Sequence, residues 1–517
     1  MTAAIGQPVS SEDRRFTALA AVVSAVAVVL ANLSGLAISD DGIAYLAIAD
    51  RLSKGRGLGY YLESHLTTWP PLFPSLLSWI DRLTPLDAHG AAIALNALTA
   101  AATVLLTASL LHRLVTDATL RRLGVAVAAL GASTMLFGHL LTSDFILGAV
   151  VLGALVVLID HYQSPSWVAP VVAGVLTGVG FGLRYAAVAF IPAFAIWPLL
   201  DARRTWVARV RAATLYVVVA GAFPALWMWR NHGVDGTLLG PRWSSARGLP
   251  GNIYDAVSSV GNLLLPGVEF ERRSLWAAVA VVCVVVVLLL AWRSLGGMPD
   301  RKRAMAILAG PVGLLFLHVA AHLTYLVYAR TTTAFDRLSF RLLEPVAAPA
   351  MLLGLVVIDR VMAGPDPRWA KFARATAVGW ASLSLVVGVA MVPYFATGPD
   401  LFEGNYERDA YVHLRTSPVL GEIPAGCRVL SNAPNALYEA GVEAAWTPRR
   451  SEQQSDEMLP DLSRFPAEIA RSKTCVVWVD LPPHLANLYS LDELEKVADF
   501  DELAQTPGIT LYRVEPK

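Results

Sequence analysis

FTALAAVVSAVAVVLANLSGLAISDDGIAYLAIAD, residues 16–50, decides how the rest of the chain is read. From Phe16 to about Ala37 it is apolar for roughly twenty residues. That is long enough to cross a bilayer and too long for the core of a cleaved signal. Ser11-Glu12-Asp13-Arg14-Arg15 precedes the run and no small-residue cleavage site closes it, so it reads as a retained first helix. The run ends on two adjacent carboxylates, Asp40 and Asp41. An acid where a helix leaves the hydrocarbon is costly unless solvated or paired, which makes the pair a functional candidate. Capping is the plainer use: Asp41 before Gly42 suits the N-terminus of a helix from about Ile43 to Ser53.

The other 482 positions, 517 less these 35, repeat the pattern. Only 16% of residues are charged and mean hydropathy is +0.52, whereas a soluble chain carries about a quarter charged residues. The apolar excess falls in blocks. About eleven spans are expected, near residues 16–37, 88–112, 120–138, 143–160, 167–183, 186–200, 212–229, 274–292, 304–328, 341–358 and 375–395. Zero formal net charge argues against bulk nucleic-acid binding. With a cytoplasmic N-terminus the inner loops hold basic groups such as Arg14-Arg15, Arg121-Arg122, Arg203-Arg204 and Arg301-Lys302-Arg303. This is a moderate positive-inside bias against outer Arg230, Arg242, Arg247, Arg272, Arg273, Arg337 and Arg341, and the cell membrane is the expected location. An odd number of spans then puts the C-terminus outside. Residues 396–517 lose the apolar blocks. Strands are expected at Cys427–Ser431, Cys475–Val479 and Ile509–Val514, and helices at 466–471 and 491–498. The fold class is therefore mainly α: a polytopic helical bundle over 1–395 and a soluble extracytoplasmic α/β domain over 396–517. Cys427 and Cys475 could pair outside the cytosol, but two buried thiols are the expectation. Cys283 reads as a small core residue.

The first outer loop, 38–87, carries the most structure. Its first helix reads as amphipathic, lying in the membrane interface, and ends at Gly55-Arg56-Gly57-Leu58-Gly59. Thr67-Thr68-Trp69-Pro70-Pro71-Leu72-Phe73-Pro74 follows as a proline-fixed turn, with Trp69 expected at the headgroup level. A second helix, about Ser75 to Leu83, leads to the second span.

Taken in order, these features resemble the GT-C superfamily of membrane glycosyltransferases, which includes protein O-mannosyltransferases (glycosyltransferase family 39) and lipid A aminoarabinose transferases. The resemblance runs through Leu140-Leu141-Thr142-Ser143-Asp144, Leu183-Arg184-Tyr185, Trp229-Arg230-Asn231-His232, Gly240-Pro241-Arg242 and Arg341-Leu342-Leu343-Glu344-Pro345. It departs at His65, where relatives often have a basic residue, and at Asp144, where many have Glu. It implies an inverting transfer from a polyprenyl-phosphate sugar to an extracytoplasmic glycan, lipid or protein. Such a reaction needs a base, an oxocarbenium-like centre and cations on the leaving phosphate. The expected base is Asp40, with Asp41 second and Asp144 orienting. Arg184 and Arg341 are the preferred phosphate clamps, with Arg230 and Arg242 on the same side; for each, a guanidinium snorkelling to lipid is the bland alternative. Tyr45, His65, Trp69 and Tyr185 are the expected substrate contacts. The resemblance fixes no cofactor, and a divalent cation is compatible with it. His318 and His322, four apart, fit packing better than a metal, and His139 has a similar weak claim. Three other readings compete. A lipid or solute transporter would place its ionisable groups near the midplane of repeated halves. An oligosaccharide ligase would use a diphosphate-linked donor, and a non-catalytic assembly protein would lack the base.

Overall fold

The computed structural model describes residues 10–60, 65–264, 273–297, 299–398, 413–451, 455, 457–459, 461–480 and 487–517. Sixteen α-helices lie between Ser11 and Thr397 among the described residues. They are α1 (Ser11–Ala31), α2 (Asp40–Ser53), α3 (Leu72–Leu83), α4 (Ala88–Leu114), α5 (Ala118–Leu130), α6 (Ala132–Gly138), α7 (Asp144–Gln163) and α8 (Val168–Leu183), then α9 (Phe190–Leu200), α10 (Trp206–Asp235), α11 (Leu249–Leu264), α12 (Arg273–Leu295), α13 (Arg301–Ala309), α14 (Pro311–Thr332), α15 (Glu344–Met362) and α16 (Pro367–Thr397).

Nine helical stretches among the described residues are long and apolar enough to span a membrane, with α5 and α6 counted as one. Val168–Leu183 and Tyr185–Leu200 are shorter apolar helices. Together they match the eleven blocks expected from hydropathy. One block was drawn too long: 304–328 is broken at Gly310-Pro311, so α13 and α14 are separate helices. Without a hydrophobic drive between spans, close packing holds the bundle, and small residues permit it. A Cβ at Gly261 of α11 would lie 1.8 Å from the Trp276 carbonyl of α12. One at Gly174 of α8 would lie 3.0 Å from the Tyr216 carbonyl of α10.

The loop helices depart from expectation. α2 begins at Asp40, after an extended Ser39, so both acids sit in its first turn and neither caps it. Negative charge there is favourable against the helix dipole. Nor is α2 an interfacial helix: Gly42 through Ala49 are all buried. Ile43, Tyr45, Leu46 and Leu77 share one apolar cluster with Phe73, Ala91 and Leu183, so α2 is inside the protein.

Beyond the bundle stands a five-stranded sheet, ordered β2 (Ala445–Trp446), β1 (Arg428–Ser431), β3 (Thr474–Val479), β5 (Ile509–Pro516), β4 (Ala498–Thr506). β1 pairs in parallel with β2 and β3, while β5 runs antiparallel to β3 and β4. Strands β1, β3 and β5 fall where the short apolar runs bounded by turn signals place them. β4 was missed because Ala498–Thr506 is mostly polar, and the helix expected to reach 498 stops at Leu494. The expected pair of thiols is corrected: Cys427 and Cys475 form a disulfide, with Cα atoms 5.8 Å apart. The parallel register sets Val429 against Cys475, which brings the two strand starts together.

Candidate active site

Two short segments put the acids at one level. Ala37 and Leu140 form a parallel bridge, with Ala37 N–H donating to the His139 carbonyl at 2.8 Å and Leu141 N–H to the Ala37 carbonyl at 3.0 Å. α2 starts three residues after Ala37 and α7 four after Leu140, so the first turns of both helices emerge side by side. Buried asparagines close the remaining carbonyls. Asn96 Nδ2 donates to Gly138 and Leu140, and Asn32 Nδ2 to Val28 and Gly138.

Arg184 stands in extended backbone at the break between α8 and the 3-10 turn Tyr185–Ala189. From there it joins both acids: Nε lies 2.8 Å from Asp144 Oδ1 and Nη1 lies 3.6 Å from Asp41 Oδ2. Arg341, in the 3-10 turn Phe340–Leu343, donates to Asp41 Oδ2 at 3.3 Å and to Ser39 Oγ at 3.2 Å. Trp69 Nε1 donates to Asp41 Oδ1 at 3.0 Å. Trp69 therefore belongs to the site, not to a headgroup belt, and its ring packs on Tyr60 at 5.4 Å. Burial works against ionisation of Asp41, but Arg341, Arg184 and the indole N–H outweigh it and hold its carboxyl below the usual range. The carboxylate is thus present at neutral pH and is lost only as pH falls through that lowered value. Tyr45, one turn on in α2, meets Ser143 Oγ at 3.1 Å; burial pushes its phenol up to about 12, so it stays protonated. Asp40 turns to a different partner: Asn435 Nδ2 donates to its Oδ1 at 2.6 Å.

A second group of cations lies beside this cluster. Tyr185 O–H donates to the Thr67 carbonyl at 2.7 Å and accepts from Trp227 Nε1 at 2.9 Å, which fixes the turn before Trp69. Arg230, over the Trp227 ring, donates to the Leu66 carbonyl. Arg242 donates to the Thr68 carbonyl at 3.1 Å and the Leu239 carbonyl at 2.8 Å. Gly240 brings Arg242 there, for it has φ +80° and a Cβ on it would meet Thr68 Cα at 2.7 Å. So Arg184 and Arg341 face carboxylates, whereas Arg230 and Arg242 are held by neutral carbonyls.

Of the residues singled out from sequence, Asp40, Asp41, Asp144, Arg184, Arg341, Tyr45 and Trp69 meet around the first turn of α2. Arg230, Arg242 and Tyr185 meet on the adjoining turn. His65 is exposed and has no part in these contacts. His318 and His322 are packing residues: their Nε2 atoms close the Pro345 and Leu342 carbonyls at 2.9 and 2.8 Å, against Phe190. His139 Nδ1 meets Asn32 Oδ1 at 2.8 Å and its ring stacks on Phe395. Sequence reasoning missed Ser39, Ser143, Trp227 and Asn435. The serines stand beside the acids and could have been found by position; Asn435 gave no signal. It also gave Glu344 no role. That side chain is buried in a cavity of about 70 Å³, its carboxyl on Gly148, one turn along α7 from Asp144. Among the described residues no group of three or more His, Cys, Asp or Glu is placed to hold a metal.

No family model and no curated protein sequence matches the chain. Solved structures do. ArnT from Cupriavidus metallidurans in the apo state is 14% identical, with a TM-score of 0.60 over 96% of this chain and 97% of that one. The same protein bound to undecaprenyl phosphate is 13% identical, with a TM-score of 0.54 and 98% of each chain covered. The oligosaccharyltransferase AglB from Archaeoglobus fulgidus, in complex with an inhibitory peptide and a dolichol-phosphate, is 12% identical, with a TM-score of 0.54 over 97% of this chain and 74% of that one. The chain has the fold of the polytopic GT-C membrane enzymes.

Proposed function

We propose that the protein is a membrane glycosyltransferase that moves a sugar from a polyprenyl-phosphate donor to an extracytoplasmic acceptor, with inversion. One observation carries the reading. The carboxylate diad of Asp40 and Asp41, in the first turn of α2, stands beside two arginines that the protein leaves on neutral carbonyls. The donor phosphate takes Arg230 and Arg242, because guanidinium groups on carbonyls gain most from an anion. The sugar then lies over Asp41, with the Asp144–Arg184 pair binding its hydroxyls. Asp41 is the base. It accepts the acceptor hydroxyl proton as that oxygen attacks the anomeric carbon and the phosphate leaves from the opposite face. The sequence reading favours Asp40 as base, but Asp41 is the acid that meets Arg184 and Arg341, and Arg184 joins it to Asp144. The N-terminus and the face opposite the diad are then cytoplasmic, and the α/β unit is outside. The lipid-bound states of the two neighbours support a polyprenyl phosphate as the donor carrier.

The test is loss and rescue. Mass spectrometry of envelope glycans and lipids in a deletion strain names the missing unit, and hence donor and acceptor. Wild-type protein restores it. Asp41→Asn lowers the rate by about a thousandfold, as expected for a general base, while folding persists. Near-normal turnover in that variant removes Asp41 as the base. A transporter would instead show substrate flux in vesicles.

A further inference from the structure

The α/β unit touches the site through one short helix, Pro434–Glu439, which follows β1. Asn435 in its first turn is buried, and both ends of its amide are used. Nδ2 donates to Asp40 Oδ1 at 2.6 Å, and Oδ1 accepts from Tyr60 O–H at 2.8 Å. Tyr60 packs on Trp69, whose indole donates to Asp41 at 3.0 Å. Asp40 and Asp41 are neighbours in α2, so the contacts close a ring: Asp40, Asn435, Tyr60, Trp69, Asp41. Asn435 is the member of that ring that comes from outside the membrane module. The same helix is anchored elsewhere. Glu439, nearly buried, lies 3.4 Å from His89 Nε2 of α4 and 3.6 Å from Arg415. Tyr438 packs against the apolar cluster around α2. Simple docking would be served by Glu439 and Tyr438. It does not call for an amide placed on a carboxylate next to the reacting acid.

We infer that Asn435 is a positioning residue for glycosyl transfer: by holding Asp40, and Trp69 through Tyr60, it sets the first turn of α2 that presents Asp41, so the α/β unit completes the active site. The inference rests on the proposed function. It specifies an amide, since only a side chain that donates at one end and accepts at the other closes the ring.

The experiment uses the full-length protein in membranes of the deletion strain, with synthetic polyprenyl-phosphate hexoses and pentoses as donors and the strain's own envelope as acceptor. Asn435→Ala is expected to lower kcat about tenfold with little change in donor KM, the size of one hydrogen bond to a charged group. Asn435→Asp places a carboxylate against Asp40. The other charged groups facing this turn, Asp41, Asp336, Arg184 and Arg341, are unchanged in it. Two carboxylates sharing one contact hold a proton to higher pH. A proton held between Asp40 and residue 435 breaks the contact that sets the turn presenting Asp41, so the acid limb moves up by about one pH unit in Asn435→Asp. Glu439→Gln is the docking control: it loosens the helix and leaves the pH profile in place. Three results would overturn the inference. Asn435→Ala and Asn435→Asp could match the wild type. Asn435→Ala and Glu439→Gln could lose the same activity while the pH profile of Asn435→Asp stays that of the wild type. Or Asn435→Gln could work no better than Asn435→Ala. If Asp41→Asn stays active, or the wild type turns over no donor, the proposed function itself fails, and that outcome is distinct because it does not depend on residue 435.

Discussion

The two ends of the bundle use arginine differently. At the end opposite the diad, the acids Asp13, Asp160, Asp201 and Asp359 are matched to cations or donors. Asp201 takes Arg203 and Arg204 at 2.7 and 3.1 Å. Asp13 takes Arg122 and Arg121 at 3.1 and 3.5 Å. Asp160 takes Arg113 at 2.6 Å, and Asp359 takes the Thr116 hydroxyl and two backbone N–H groups. The Asp13, Asp160 and Asp359 contacts tie helix ends together, and those of Asp201 hold the turn before α10. At the diad end, Arg230 and Arg242 rest on carbonyls, and Asp144 Oδ2 is buried with no hydrogen-bond partner among the described residues. Such an arrangement costs stability. A fold that pairs its acids with cations or N–H donors at one end, and at the other leaves a buried carboxylate oxygen beside arginines on neutral carbonyls, separates a structural end from a working one.

The largest effect expected from that contrast is in donor binding. Arg230→Ala with Arg242→Ala should weaken undecaprenyl phosphate by about a hundredfold, the scale of two charge-assisted contacts. Quenching of tryptophan fluorescence is a direct measure, since Trp227 lies under Arg230. Arg184→Ala should behave otherwise. It leaves Asp144 buried beside Asp41, so it lowers kcat and stability while lipid affinity changes little. Equal loss of affinity in both variants would break the division between the two arginine pairs.

The disulfide bears on stability and not on donor binding. It closes a separation of 48 residues in the α/β unit. Chain entropy for a loop of that length is worth about 4 kcal/mol, and measured values are commonly 2–4. Cys427→Ser should therefore lower the melting temperature of this unit sharply. Because Asn435 lies on the helix after β1, activity should fall with it, and a melt without loss of activity would separate the unit from the site.

How far the sequence was legible follows from what each signal measures. Span count, the paired acids and Asp144 were legible because hydrocarbon imposes length and makes a boundary acid conspicuous. Trp69 was misplaced because amphipathic residues look alike at a headgroup and in a polar site; only the fold puts its indole on Asp41. α2 was read as interfacial because apolar and polar positions were counted along one helix, whereas its outer face is covered by α3 and the α/β unit. Asn435 was invisible: it lies 395 residues from Asp40, and nothing local distinguishes it. β4 was illegible for the opposite reason, since an edge strand exposed to solvent carries little apolar pattern.

Asp201→Asn should cost about 2 kcal/mol, since it strips two arginines of a nearly buried acid. Catalytic constants should not change. A pH series sharpens this. The carboxyl of Asp201, buried but hydrogen-bonded by Arg203, is held below its usual range. Its contribution is present at neutral pH and fades as pH falls through that lowered value. The wild type should therefore lose this stability in acid and Asp201→Asn should not.

The smallest effect tests the contrast from its weak side. Arg113 and Asp160 form a short pair at 2.6 Å, but their side chains are 27% and 48% exposed. Water screens such a pair, and exposed pairs contribute about 0–1 kcal/mol. Arg113→Ala should shift thermal stability by less than that and leave transfer untouched. High salt should shrink even this difference, because screening acts on exposed charges first. A loss of transfer in Arg113→Ala would mean that the two ends of the bundle are coupled, and the division between a structural end and a working end would have to be redrawn around α4 and α7, the helices that join them.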